Sequence, residues 1–118
     1  MSSWLQVRAC VGVLGVVSLA VGCRYLQVVY LRRCVNVSDD AVIALAHNCR
    51  QLGDLNIGGC VLVTDASLHA LSESASLLSS INFSRANVCV FAMNFLREMC
   101  YPYLLICLDC IRTISSKC

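Results

Sequence analysis

The chain has few charged residues for its length. Only 14% of its 118 residues are charged and 58% are apolar, whereas about 25% of an average soluble protein is charged. Disordered chains have the opposite composition, so most of this chain is expected to fold. The charges nearly cancel to a net +2, and the basic residues are scattered. We therefore expect no nucleic acid as a partner.

Motifs of known catalytic sites are also missing from the sequence. It contains no G-x-S-x-G, no phosphate-binding loop and no H-E-x-x-H motif. Its two histidines, His47 and His69, fall within predicted helices, where a solvated or partly buried histidine is the ordinary case. The seven acidic residues either stand at predicted helix starts, as Asp39, Asp40 and Asp65 do, or are mostly isolated. We therefore expect a protein that is not an enzyme and that has no cofactor or metal.

One stretch of the chain is present twice, in two adjoining copies of equal length. Residues 23–48 read CRYLQVVYLRRCVNVSDDAVIALAHN, and residues 49–74 read CRQLGDLNIGGCVLVTDASLHALSES. The repeat period, which carries Cys23 onto Cys49, is constant throughout, and a period of this size is typical of a solenoid. The residues of the first copy whose type is kept in the second are Cys23, Leu26, Val29, Leu31, Cys34, Val37, Ser38, Asp39, Val42 and Leu45.

Each copy predicts a strand, a loop and a helix. The L-x-x-L-x-L-x-x-C spacing from Leu26 to Cys34 is that of a leucine-rich-repeat strand with Cys in place of Asn. Ser38-Asp39 and Thr64-Asp65 then predict helix starts, with the hydroxyl capping backbone N–H groups and the carboxylate at the positive end of the dipole. The fold class is therefore α/β. We expect a short solenoid of about three to four repeats, the terminal ones degenerate, with parallel strands on the concave side and helices on the convex side.

The two ends of the chain depart from the repeat. Residues 1–22 are predicted to be an apolar N-terminal helix, the partial first repeat, and residues 23–88 hold the cysteine-containing repeats. Residues 89–118 are either a degenerate fourth repeat or a divergent apolar tail. A spacing one position shorter than the repeat period favours the repeat, because it places Tyr103, Ile106 and Leu108 on Leu78, Ile81 and Phe83.

Residues 7–21 leave a second interpretation open. This run is apolar apart from Arg8 and Ser18, so it could be a signal peptide or a membrane anchor, although a membrane span needs about 20 residues. The repeat favours a helix instead, since residues 16–20 align with residues 42–46 at the same period. A signal peptide or anchor predicts a secreted protein or one with a membrane as partner, whereas a repeat helix predicts a cytoplasmic or nuclear protein.

The ten cysteines are expected to be reduced. Cys23, Cys34, Cys49, Cys60 and Cys100 occupy repeat positions where an apolar residue belongs, and a free cysteine behaves as a small buried hydrophobe. The pair Cys107 and Cys110 forms a lone C-x-x-C. A structural zinc site needs four ligands, usually from two such pairs. We therefore interpret this pair as part of the apolar tail.

Over residues 16–88 the chain resembles a known family. The pattern C-x-x-L-x-x-L-x-L-x-x-C-x-x-[IV]-[ST]-D is similar to the cysteine-containing leucine-rich repeat of F-box/LRR proteins, and in particular to the antagonist of mitotic exit network protein family. The resemblance implies a curved solenoid that binds other proteins. F-box relatives recognise substrates of cullin-type ubiquitin ligases, and the mitotic-exit relative is linked to cell-cycle control and lacks enzymatic residues.

The chain departs from that family in two respects. The segment before the repeats, residues 1–22, is short and contains no F-box, so contact with an F-box adaptor is not expected. The Ser/Thr-Asp pair is replaced by Gly12-Val13 at one end and by Cys89-Val90 at the other. A truncated isoform without independent function is therefore an alternative to an interaction module.

The predicted partner-binding surface is the concave strand face, with a protein as partner. On such a strand, residues that alternate with the buried ones point towards the partner. Tyr30 and Arg32 are the expected anchors, because tyrosine and arginine are enriched at interface hot spots. The candidate binding residues are Val28, Tyr30, Arg32, Asp54, Asn56, Ser80 and Asn82.

Overall fold

A computed structural model of the chain describes residues 5–8, 13–89 and 105–106, with side chains for residues 15–89. Strands and helices alternate along the described part of the chain. They are β1 (Leu5–Arg8), α1 (Val13–Gly22), β2 (Leu26–Tyr30), α2 (Asp39–Asn48), β3 (Asp54–Asn56), α3 (Asp65–Ser74), β4 (Ser80–Asn82) and β5 (Leu105–Ile106). The predicted α/β class is confirmed.

The strands form one open parallel sheet, in which their order in space follows their order in the chain. The register of the central strands follows the repeat period. Val28 of β2 lies opposite Asp54 of β3, which lies opposite Ser80 of β4. Neighbouring helices pack on one another in the same order, α1 on α2 and α2 on α3. Residues that share a repeat position therefore come to lie side by side.

The core lies between the sheet and the helices. Val29, Leu55 and Ile81 occupy the middle of the three central strands and are at most 1% exposed. They belong to one buried cluster with the apolar face of each helix, including Leu45 and Leu71. Burying a side chain of this size contributes roughly 1.5–3 kcal/mol. Over residues 23–88, the apolar repeat positions predicted from the sequence are therefore confirmed as the core, apart from the partly buried Cys23. Cys100, predicted to occupy such a position as well, lies outside the described residues.

A left-handed turn follows the central strands at equivalent positions. The backbone φ angle is +62° at Arg33, +79° at Gly59 and +62° at Arg85. Glycine adopts this conformation without steric cost, whereas other L-residues do so at a cost of roughly 1–2 kcal/mol. Arg33 accepts it because the segment that follows β3 fixes its backbone: the N–H of Arg33 donates to the Gly58 carbonyl at 2.7 Å.

The helix starts differ from the prediction in one detail. Thr64 caps α3, its hydroxyl accepting a hydrogen bond from the N–H of Ala66 at 3.4 Å. Ser38 occupies the same position before α2, yet its side chain makes no cap hydrogen bond. The predicted hydroxyl cap is therefore wrong for Ser38. Asp39 and Asp65 lie in the first turns as expected.

The N-terminal segment contains a strand that the repeat did not reveal. Residues 1–22 were expected to be helical. Of the residues described there, Val13–Gly22 form a helix, whereas Leu5–Arg8 form β1, which pairs with β2. The register explains the error. Gln6 lies opposite Val28, whereas the repeat period aligns Gln6 with Arg32, so a comparison at that period cannot detect this strand.

At the other end, β5 pairs with β4 and places Ile106 opposite Ile81. This is one of the alignments that favoured a fourth repeat. The rest of that prediction, with Tyr103, Leu108 and the C-x-x-C pair, lies outside the described residues. Within the described part of the chain, no helix has the length and apolar character needed to cross a membrane.

Candidate functional site

The predicted binding residues lie in two rows across the central strands. Val28, Asp54 and Ser80 form the first row, and a second row runs from Tyr30 through Asn56 to Asn82. These six side chains are all half-buried. Because side chains alternate along a strand, they lie on the sheet face opposite the buried Val29, Leu55 and Ile81. Arg32 is exposed and follows the end of β2.

A hydrogen bond joins the two rows between neighbouring strands. The Tyr30 hydroxyl donates to the Asp54 carboxylate at 2.8 Å. It holds the ring in one orientation over the sheet, which lowers the entropy that Tyr30 would lose on contact with a partner. Sequence reasoning selected both residues but did not predict their pairing, which depends on the strand register.

The two asparagines of the second row accept hydrogen bonds from backbone N–H groups that follow their own strands. The side-chain oxygen of Asn56 accepts a hydrogen bond from the N–H of Gly58 at 3.0 Å, and that of Asn82 accepts from the N–H of Ser84, also at 3.0 Å. Gly58 leaves room for both, because a Cβ there would lie 3.0 Å from the Asn82 oxygen. The face is therefore polar and locally fixed, and each amide also carries N–H₂ donors.

Thiol groups bridge the units beneath this face. The Cys49 thiol lies 3.4 Å from the Cys23 carbonyl, and the Cys60 thiol donates to the Leu31 carbonyl at 3.1 Å. Cys23, Cys34, Cys49 and Cys60 are free thiols, as predicted.

Cys89 departs from the expectation that all the cysteines are reduced. It is disulfide-bonded, to a partner outside the described residues. Its position at the edge of the repeat, where the sequence motif is lost, sets it apart from the four repeat cysteines that carry free thiols.

Burial raises the pKa of the Cys49 thiol to about 11, and the neighbouring Cys23 adds to the rise. Since the thiolate is the reactive form, we expect iodoacetamide at pH 8 to modify Cys49 far more slowly than the half-buried Cys23. Peptide mass spectrometry over a time course measures both rates. In denaturant, where burial is lost, the two rates should become similar. Equal rates in the native chain as well would contradict this burial of Cys49.

The aspartate of the repeat motif links one unit to the next. The Asp39 carboxylate accepts three hydrogen bonds from the start of the next helix: from the Thr64 N–H at 2.8 Å, the Thr64 hydroxyl at 2.6 Å and the Ser67 hydroxyl at 2.6 Å. Burial raises the pKa of Asp39, but these hydrogen bonds together outweigh it and hold the pKa below the ordinary value of 3.8. Sequence reasoning assigned this residue to the helix dipole and missed the link.

Asp65 makes the same link one unit later. Its carboxylate accepts a hydrogen bond from the Cys89 N–H at 2.8 Å, so Cys89 takes the place of Thr64. The Cys89 sulfur also lies 3.2 Å from this carboxylate. A disulfide sulfur carries no proton, so that approach is a contact and not a hydrogen bond. The repeat period would align Thr64 with Val90, so the period is shortened by one position at this end of the repeats.

The remaining candidates for chemistry do not converge. His47 and His69 are both exposed on helices. Over residues 15–89, no group of three or more His, Cys, Asp or Glu side chains could hold a metal ion. Comparison of the chain with models of known protein families and with curated proteins found no match.

Proposed function

We propose that the chain is a short leucine-rich-repeat solenoid that acts as a protein-interaction module and binds its partner on the exposed face of β2, β3 and β4. The observation that carries the proposal is the two rows of side chains, polar at every position except Val28, in which residues one repeat period apart lie side by side. The sequence resemblance adds two roles to this proposal: substrate recognition for a ubiquitin ligase and a part in cell-cycle regulation.

Two properties of this face support binding to a folded or extended protein. It presents an aromatic ring, a carboxylate and two amides on rigid strands, and interfaces combine such groups with a fixed backbone. The side chains are already held by hydrogen bonds within the chain, so little ordering remains to be done on binding.

The test is a double substitution, Tyr30→Ala with Arg32→Ala. We expect it to reduce partner capture by about tenfold or more, because tyrosine and arginine anchors each contribute on the order of 1–2 kcal/mol at interfaces. The measurement compares proteins recovered from a cell extract on the immobilised wild-type chain and on the variant by quantitative mass spectrometry.

Two controls separate binding from folding. Glu73→Ala changes an exposed residue of α3 and should leave capture unchanged. Circular dichroism should show that the double variant keeps the wild-type spectrum and is folded at the temperature of the capture experiment. If every protein retained by the wild type is retained equally by a folded double variant, the proposed face is not the binding site.

A further inference from the structure

A basic groove lies at the amino ends of β2 and β3, whereas Tyr30 and Arg32 lie at the carboxyl end of β2. It has a volume of about 440 Å³ and is formed where α1 and α2 end and where β2 and β3 begin. None of its lining residues is acidic. They are Arg24, Tyr25, His47, Asn48, Arg50 and Gln51.

The repeat places the two guanidinium groups in this groove. Arg24 and Arg50 occupy the same position of successive units, each directly after the cysteine that ends a repeat helix. Since α1 packs on α2 and β2 pairs with β3, equivalent residues of the two units become neighbours. The third unit has Ser76 at this position, so the pair of arginines is confined to the first two units.

Both arginines remain available to a ligand. They are exposed, and over residues 15–89 no hydrogen bond or ion pair engages either guanidinium. The Asn48 amide, by contrast, donates to the Ala44 carbonyl at 2.8 Å. A guanidinium presents a planar fork of N–H donors that matches a carboxylate, and two neighbouring forks match two carboxylates on one ligand.

We propose that this groove is a second binding site and that it takes an acidic peptide segment of a partner protein. Carboxylates of the peptide pair with Arg24 and Arg50, and its apolar part packs on Tyr25, whose side chain is 63% exposed. Tyrosine beside arginine is the combination enriched at protein interfaces. A nucleic acid would need a longer track of cations, and the neighbouring unit offers Ser76 and Leu77 instead.

The experiment measures fluorescence anisotropy of a short labelled peptide rich in glutamate, with a glutamine peptide of the same length as its neutral counterpart. The full chain should bind the glutamate peptide and not the glutamine peptide, and binding should weaken as salt is raised. Arg24→Ala with Arg50→Ala should weaken binding by about tenfold, as expected for the loss of two surface charge pairs.

A charge-matched control is available in the turns that follow the carboxyl ends of β2 and β4. Arg33→Gly with Arg85→Gly removes the same net charge at two turns of positive φ, where glycine fits the backbone, and should leave peptide binding unchanged. Equal losses in the two double variants would overturn the proposal, because they would show an effect of net charge alone. Tighter binding of a single-stranded oligonucleotide than of the glutamate peptide would overturn it as well.

The two proposed sites are separable in this assay. Tyr30→Ala with Arg32→Ala should leave peptide binding within about twofold of the wild type, since neither residue lines the groove and surface effects of this size are common. A larger loss in that variant, with folding intact, would place the acidic peptide on the strand face and would overturn the groove as its site. Circular dichroism of each variant verifies folding.

Discussion

Replacing Asp39 with alanine is expected to lower the free energy of unfolding by about 3 kcal/mol, because three donors lose one charged acceptor. Two of them, the Thr64 N–H and hydroxyl, begin the next helix, and the third belongs to Ser67, which is fully buried. Water cannot replace the carboxylate at Ser67 without opening the contact between α2 and α3. Urea denaturation followed by circular dichroism measures the change.

The neighbouring aspartate is the matched control. Asp40 lies in the same first turn of α2 but is exposed, so Asp40→Ala should change stability by less than about 0.5 kcal/mol. Similar losses in the two variants would mean that the helix dipole, and not the link between units, accounts for the effect. The sequence alone supports that simpler explanation, since both residues stand at the helix start.

The link also has a defined pH dependence. Hydrogen bonds from Thr64 and Ser67 lower the pKa of Asp39 below 3.8 in the folded chain. A lowered pKa means that this stabilisation is fully present above the unfolded-state pKa and is lost as the pH falls through the folded-state pKa. The difference in stability between the wild type and Asp39→Asn should therefore shrink below about pH 4. A constant difference from neutral pH into the acid range would contradict this.

Leu55→Ala is expected to lower the free energy of unfolding by about 3–4 kcal/mol, the middle of the range for a leucine truncated in a packed core. Leu55 lies in the middle of β3, is fully buried, and has Val29 and Ile81 beside it in the two neighbouring strands. A cavity at this point removes packing on both sides at once. Chemical denaturation of the variant and the wild type gives the difference.

Leu62→Ala provides the comparison for that substitution. Leu62 is 51% exposed, so the same chemical change should cost less than about 1 kcal/mol. If the two leucine variants unfolded at the same urea concentration, the buried cluster between sheet and helices would not be the source of stability. The single core described for residues 15–89 makes a large difference between them the expected result.

The repeat period predicted the core because burial follows directly from an apolar position that recurs. Leu26, Val29 and Leu31 were selected from spacing alone, and each is at most 2% exposed. The same period predicted which polar residues share a face, since Tyr30, Asn56 and Asn82 occupy one repeat position and pair in register. Where the period was constant, local pattern was sufficient to select the core positions and the residues of the strand face.

Other features were missed where the period changes or where a side chain acts on the next unit. The pairing of β1 with β2 sets Gln6 opposite Val28 and therefore does not follow the repeat period. The roles of Asp39 and Asp65 depend on which backbone N–H groups lie across the interface between units. The hydrogen bonds from the Cys49 and Cys60 thiols to carbonyl groups of the preceding unit also depend on this interface. Such contacts follow from three-dimensional stacking and have no local sequence signature.

Site-specific photocrosslinking tests the proposed binding face most directly. A photoreactive amino acid is placed at Asn82, on the strand face, or at Glu73, which is exposed on α3, and each chain is irradiated in a cell extract. The interaction module proposed for β2, β3 and β4 predicts a crosslinked protein from position 82 that is absent from position 73 and is lost when Tyr30→Ala and Arg32→Ala are added. A crosslinked protein from position 73, with none from position 82, would contradict it.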